Sequence, residues 1–302
     1  MYNVLIIGAG QIASGLDFPN SLEVLTHAHA VLKQSRFNLL GFYDVDFAKA
    51  NQAAQKWQVN AYTSLPKADV IVIATPDKIH LENVRQAATA HPRLIILEKP
   101  LAADLADARA ITKLAKKIPM QVNFTRRFVP ELQKLALEIR KGKHGRLQTG
   151  SGFYGKGFIH NGSHLVDLLK FFGLQIKCVQ GLNNFVDFYK HDPTKTVRLI
   201  LPRGGEFFMQ GVDCQNYTVF ELDLFFEKAR IRIVNSGAEV EIYGLTNSKK
   251  YRGYKFLNLD NKCKTQLDCA LPNLYNNVYD FLVGKGKLLA SVQDVFTEIL
   301  YA

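Results

Sequence analysis

Cysteine is scarce in this chain, and what there is lies scattered. The four residues of 302 are Cys178, Cys214, Cys263 and Cys269. No pair has C-x-x-C spacing, and no cysteine joins a histidine in a zinc-like cluster, so a disulfide framework and a cysteine metal centre are both excluded. The thiols read as reduced, which suits a cytosolic protein. No apolar run reaches the ~20 residues that a bilayer-spanning helix needs. The first strand starts at once, which leaves no room for a signal peptide. These absences give the expectation of a soluble, cytoplasmic protein with no membrane partner and no metal. Internal repeats and low-complexity segments are also missing. Apolar residues make up 47% of the chain, enough for a full core without disulfides, and the length suits two domains.

Acid is in short supply too. Lys and Arg number 38 against 27 Asp and Glu, a net charge of +11. The imbalance is uneven: residues 1–122 carry 13 against 10, and residues 123–302 carry 25 against 17. A basic second half favours anionic partners such as phosphorylated sugars, nucleic acid or anionic lipid. The densest cluster, Arg140 to Arg146, falls at a helix end, where cations oppose the helix dipole. Basic and aromatic residues do not alternate as they do in RNA-binding surfaces, so nucleic acid is not an expected partner.

What is present begins with alternation. Tyr2–Ile7, Leu39–Tyr43, Val70–Ala74, Leu94–Leu97 and Met120–Asn123 are short apolar runs. Between the later ones, Phe47–Gln58, His80–His91 and Asp104–Lys117 are Ala-rich and amphipathic, as helices are. Apolar strands alternating with helices predict a doubly wound parallel sheet covered on both faces. After Phe128 the pattern changes. Helices are predicted over Val129–Lys141 and Ser163–Phe172. Alternating strands follow over Ile176–Phe188, Thr196–Pro202, Glu206–Val212, Tyr217–Phe226 and Ala229–Val234. Helices at Leu274–Val283 and Val292–Tyr301 close the chain. The expected architecture is α/β: a dinucleotide-binding domain over residues 1–122 and an α+β domain with a large, mostly antiparallel open sheet over residues 123–302.

The chemistry gathers at strand ends. Gly8-Ala9-Gly10-Gln11-Ile12-Ala13 follows the first strand. Gly8 permits the tight turn, Gly10 lets backbone amides approach a pyrophosphate, and Ala13 is small enough for close packing of the helix expected next. Asp44 ends the second strand, where an acid binds the adenosine ribose and repels a 2′-phosphate, so NAD is favoured over NADP. Asp46 is a rival, and Asp44 could instead serve only to cap the following helix. Asp17–Leu25 reads as an insertion at the mouth of this site. Glu98-Lys99-Pro100 closes the run Arg93–Leu97 and sets an ammonium at the carboxyl edge of the sheet, where ligands bind in open α/β folds.

Taken together, the ordered motifs resemble the Gfo/Idh/MocA oxidoreductase family. They are Gly8-Ala9-Gly10, Ala74-Thr75-Pro76 with His80, Glu98-Lys99-Pro100, Arg126-Arg127-Phe128 with Pro130, and Gly162-Ser163-His164 with Asp167. They cover roughly the first 170 residues. The resemblance implies an NAD(P)-dependent enzyme acting on a sugar, nucleotide sugar or polyol. It implies cofactor contacts at Gly8, Gly10, Gln11, Ile12, Asp44, Thr75, Pro76, His80, Glu98 and Lys99. It puts Lys99 on the reacting oxygen and makes His164 the acid/base. Arg127, Lys156, Asn161, His160, His164 and Lys99 are the expected substrate contacts. It further implies a homo-oligomer, a dimer or tetramer, formed through the second sheet.

One position departs from the pattern. The family often has an Asp four residues before the acid/base His, and this chain has His160 there. The sequence His160-Asn161-Gly162-Ser163-His164 is similar to a subset associated with surface-polysaccharide biosynthesis. His160 either assists the reaction or acts as acid/base itself. The other reading of this departure is a catalytically silent, dinucleotide-binding regulator of the same fold.

Overall fold

The computed structural model describes residues 1–202, 205–297 and 300. The chain divides into two compact units, one built from residues 1–128 with 268–297 and one centred on Val129–Leu267.

In the first unit, six strands form one parallel sheet. They are β1 (Tyr2–Ile7), β2 (Phe37–Tyr43), β3 (Asn60–Tyr62), β4 (Val70–Ile73), β5 (Leu94–Leu97) and β6 (Met120–Val122), in the order β3-β2-β1-β4-β5-β6. The direction of winding reverses between β1 and β4, which opens a crevice at their carboxyl ends. Strands β4 and β5 are buried along their whole length, as their unbroken Val/Ile/Leu composition requires. The helices are α1 (His27–Leu32), α2 (Phe47–Trp57), α3 (His80–Thr89) and α4 (Leu105–Leu114). Asp46 and Asp104 cap α2 and α4, accepting the amides of Ala48 and Asp107.

The helix expected directly after the glycine turn is cut to one π-helical turn, Gln11–Gly15. The insertion follows it, and α1 resumes at His27. The buried Asp17 carboxylate ties the loop's ends together. It accepts the amides of Leu25 (2.7 Å) and Thr26 (3.2 Å) and the Thr26 hydroxyl (2.5 Å), and it pairs with His29 Nδ1 (2.8 Å). Burial works against its charge, but these bonds outweigh it and hold the carboxyl below its usual range.

The second unit carries α5 (Pro130–Arg140), β7 (Leu147–Tyr154), α6 (Ser163–Phe171), β8 (Cys178–Tyr189), β9 (Asp192–Ile200), β10 (Glu206–Gly211), β11 (Phe220–Phe226), β12 (Ala229–Val234), β13 (Glu239–Asn247) and β14 (Lys255–Lys264). Its eight strands run β14-β13-β12-β11-β7-β10-β9-β8. All pairs are antiparallel except β10 with β7. Alternation sorts β11 cleanly: Phe220, Leu222, Leu224 and Phe226 are buried, while Glu221, Asp223 and Phe225 face the other way. That second face carries ion pairs. Arg230 pairs with Asp223, and Arg232 with Glu241 at 3.0 Å. At β11 the open face is therefore charged, with Phe225 its one large apolar residue.

Two helices near the C-terminus, α7 (Ala270–Leu282) and α8 (Val292–Val295), belong to the first unit, where the sequence reading assigned them to the second domain. The physical reason is packing. The α7 stripe of Leu271, Leu274, Tyr275, Val278 and Leu282 is buried, and Tyr275 meets Phe37 edge-on at 5.6 Å. Residues 290 and 291 also add to the edge of the parallel sheet: the Val122 amide donates to Ala290 O at 2.9 Å, and Gln121 bridges to Ser291. The helix expected over Val292–Tyr301 is shorter: it ends at Val295, Phe296 and Thr297 are not helical, and the expected end at Tyr301 lies outside the described residues. Among the described residues no helix is long and apolar enough to cross a membrane.

Candidate active site

A cleft of about 720 Å³ opens at the reversal between β1 and β4. Its lining includes Gly8, Gly10, Gln11, Asp44, Thr75 and Pro76, six of the residues expected to bind a cofactor. Ile12, His80, Glu98 and Lys99 are not part of that lining. Gly8 turns at φ +94°, and a Cβ there would sit 2.6 Å from Ala74 O. Gly10 is different: a Cβ at this position meets nothing within 4 Å and would project into open space. The backbone is thus bare where a pyrophosphate would approach, and the cleft fits a dinucleotide.

Asp44 holds its carboxylate by two backbone donors, the amides of Ala9 and Asp46, each at 2.9 Å. The cap of α2 is Asp46, so Asp44 is not engaged as a helix cap. Two lysines also line the cleft. Lys56 donates to the carbonyls of Ser14 (2.7 Å) and Gly15 (3.3 Å), and Lys49 faces Asp46 at 3.5 Å. Thr75 is fixed from two sides: Asn83 donates to its hydroxyl at 2.9 Å, and the buried His80 ring reaches its carbonyl at 2.9 Å.

Behind the sheet edge lies a buried polar network that local sequence did not reveal. Glu98 Oε1 accepts from Asn123 at 2.7 Å and pairs with His27 Nε2 at 2.9 Å, while His27 Nδ1 reaches the Tyr275 hydroxyl at 2.9 Å. Glu98 Oε2 takes the Lys99 amide at 3.3 Å, and the Lys99–Pro100 peptide is cis. Burial disfavours the Glu98 charge, yet His27, Asn123 and Lys99 outweigh it and hold the carboxyl low. The Glu98 carboxylate thus steadies the backbone that carries Lys99. Arg127, expected to touch substrate, is buried and donates to Leu289 O at 2.8 Å.

The second unit carries His160 and Asn161 on the π-helical turn Phe158–Gly162, His164 on α6, and Lys156 in the segment just before the turn. His164 is buried and meets Phe220 edge-on at 6.1 Å. His160 pairs through Nδ1 with the buried Asp192 at 2.8 Å and stacks on Tyr189 at 4.0 Å. The Asn161 amide donates to Gly155 O at 2.9 Å. Lys156 gives its backbone amide to Asp187 at 2.6 Å and its ammonium to the Thr218 hydroxyl at 2.8 Å. Burial raises the Asp187 carboxyl, but the amides of Lys156 and Cys214 and the Thr194 hydroxyl bring it below its usual range. Tyr189 and Asp192 flank the β8–β9 turn, 29 and 32 residues from His160 in the chain. Only the strand register brings them to it.

A bare glycine turn, an acid at the end of β2 and a cleft at the sheet's reversal have the layout of a dinucleotide-binding Rossmann domain. Residues 2–124 match the model of the Gfo/Idh/MocA oxidoreductase family, NAD-binding Rossmann fold. The rhizopine catabolism protein MocA of Rhizobium meliloti is 30% identical over 153 residues, covering 49% of this chain and 45% of that protein. Inositol 2-dehydrogenase of Rhodococcus jostii is 37% identical over 86 residues, covering 27% and 23%. The chain spans less than half the length of each of these two relatives. Across nearly the whole chain the fold is similar to that of the WlbA dehydrogenase of Bordetella pertussis, solved in complex with NADH and UDP-GlcNAcA. The TM-score is 0.76 at 17% identity, over 97% of this chain and 92% of that one.

Proposed function

We propose that this protein is an NAD-dependent dehydrogenase or reductase that moves hydride between nicotinamide and a CH–OH group of a sugar, nucleotide sugar or polyol. The observation that carries the reading is the cleft of the first unit. Its glycine turn is open where a pyrophosphate would lie, and Asp44 is held by two amides rather than used as a cap. NAD supplies the hydride acceptor when bound. Gly8 and Gly10 clear its phosphates, Asp44 takes its ribose hydroxyls, and the lining Thr75 and Pro76 bound its path.

The roles of the remaining residues follow the family resemblance. Lys99 polarises the substrate oxygen, and an ammonium there stabilises a developing alkoxide. His164, or His160 in its place, exchanges the hydroxyl proton. Lys156, Arg127 and Asn161 orient the substrate. Lys156 and the basic second half favour an anionic substrate, as a nucleotide sugar is. A role in surface-polysaccharide biosynthesis is the finer form of this reading, supported by the His-Asn-Gly-Ser-His sequence and by the fold's likeness to an enzyme crystallised with a UDP-sugar.

Self-association through the second sheet is part of the proposal. Phe225, Tyr243, Leu245, Leu257 and Leu259 share one face by strand register, and the last three are exposed. Large exposed apolar surface of this kind marks interaction sites.

The test is NADH formation from NAD with a panel of polyols and UDP-sugars. The expected result is turnover of at least one member. Lys99→Met should lower it ~10²–10⁴-fold, the scale of a proton-handling or oxygen-binding group, while NADH still binds. NADH binding with no turnover of any member, and no effect of Lys99→Met, would establish the regulator reading instead.

A further inference from the structure

A pyrophosphate dianion needs positive charge beside it, and the usual source is cut short in this chain. The helix after a glycine turn points its amide end at the phosphates and adds the field of its aligned peptide dipoles. Here that helix is the single π turn Gln11–Gly15, which carries no basic side chain. The insertion follows, and α1 begins only at His27. Five residues align few dipoles. The missing positive charge must come from a side chain that shares the cleft.

The cleft lining carries one acid, Asp44, and two cations, Lys49 and Lys56, all in the first unit. Lys49 is exposed and faces Asp46. Lys56 is half-buried and held in another way. Its ammonium donates to Ser14 O at 2.7 Å and to Gly15 O at 3.3 Å, the carbonyl end of that same π turn. The Phe18 ring of the insertion lies against it, 4.2 Å from Nζ to the ring centre, and excludes water on that side. Among the described residues no carboxylate pairs with it. An ammonium has three donors. Two go to neutral carbonyls, which leaves a third donor and a whole charge that no acid cancels. The placement also has a sign. A cation on the carbonyl end offsets the negative pole of the turn, so the positive pole at its amide end, where Gly10 is bare, dominates.

We propose that Lys56 supplies the positive charge for the cofactor's pyrophosphate that the shortened helix cannot, and is therefore a cofactor-binding residue. The inference rests on the dinucleotide reading of the cleft and involves residues of the first unit alone. Lys56 has a second, structural part in the same contact, since it pins the end of the π turn from which the insertion departs. The charge and the pin are separable, because only the charge distinguishes a phosphorylated ligand from an unphosphorylated one.

Two measurements on the full chain separate them. The first is calorimetric titration of the parent and of Lys56→Met with NADH, NADPH, ADP and adenosine. Methionine keeps an unbranched apolar stem against Phe18 and loses the charge. NADH and ADP should each bind ~10-fold or more weakly to the variant, the scale of one charge-assisted hydrogen bond, while adenosine binds within about twofold of the parent. An equal loss for adenosine would make Lys56 a pin only and overturn the proposal. A loss confined to NADPH would assign the lysine to a 2′-phosphate and overturn it too. A variant that binds NADH as the parent does refutes the role of Lys56 and leaves the cleft standing. A parent that binds none of these ligands refutes the dinucleotide reading itself. The second measurement uses unaltered protein, so a variant that fails to fold does not shield the proposal. Acetic anhydride labelling, read by peptide mass spectrometry, should show Lys56 protected by NADH and by ADP but not by saturating adenosine. Equal protection by adenosine, or no protection by NADH in a protein that binds it, would overturn the assignment.

Discussion

Gly8 and Gly10 stand two residues apart and respond to a side chain in opposite ways. A Cβ on Gly8 must adopt φ +94° and meets Ala74 O at 2.6 Å, a backbone atom at the end of β4 that cannot swing aside. The left-handed backbone costs about 1–2 kcal/mol for a non-glycine residue, and the overpacking a further ~1–3 kcal/mol. Gly8→Ala should therefore destabilise the cofactor-free first unit by ~2–5 kcal/mol. At ~2–4 °C per kcal/mol for a unit of this size, its melting point falls by about 4–20 °C. Gly10 has φ −77°, and its Cβ direction is empty. Gly10→Val should melt within about 2 °C of the parent without cofactor, since exposed changes of this kind are small. It should nonetheless lose NADH affinity, because the isopropyl group fills the pyrophosphate's space. Differential scanning fluorimetry without nucleotide, paired with calorimetric NADH titration, separates the two effects. Equal melting losses, or a Gly10→Val protein that binds NADH as the parent does, would refute the assignment of the cleft.

Asp44 should make NADH bind at least about tenfold, or ~1.4 kcal/mol, more tightly than NADPH, and Asp44→Ser should close that gap; tighter NADPH binding by the parent would remove the ribose role. Glu98 has a folded pKa below its unfolded value, so its contribution to stability is complete above about pH 4.3 and is lost as pH falls through the folded value. Glu98→Gln should cost ~1–3 kcal/mol near neutral pH by weakening the bonds that His27 and Asn123 make to the carboxylate, and it should flatten the acid limb of denaturant midpoint against pH; an unchanged limb would contradict a bonded, low-pKa Glu98. If the ribbon of β13 and β14 carries self-association, Leu257→Glu with Leu259→Lys should give monomers by light scattering where the parent gives a dimer or tetramer. A monomeric parent at high concentration would count against that surface.

The strands of the first unit could be read from sequence because they are buried on both faces, which leaves unbroken apolar runs such as Val70–Ile73 and Leu94–Leu97. The amphipathic helices α2, α3 and α4 were legible for the converse reason. Less legible was β7, where Gly150 and Gly152 interrupt the apolar alternation, and β14, whose residues are nearly all exposed and carry little pattern. The helix after the glycine turn was overestimated, since propensity does not show that Asp17 recruits Leu25, Thr26 and His29 to close a loop. The placement of α7 depended on its partners, Phe37 and His27, more than 200 residues away. The site followed the same division. Motif residues near strand ends were visible, whereas Asp192, Tyr189, His27 and Tyr275 act through register and packing, which no local window contains.

Deuterium transfer tests the central claim most directly. The parent protein is incubated with NAD and an alcohol from the panel that carries deuterium on its carbinol carbon, and the nicotinamide product is weighed by mass spectrometry. A dehydrogenase of the kind proposed moves that deuterium onto nicotinamide as a single isotopic addition, and the transfer collapses in Lys99→Met. NADH carrying no deuterium from any substrate, in a protein that binds the cofactor fully, would contradict hydride transfer as its function.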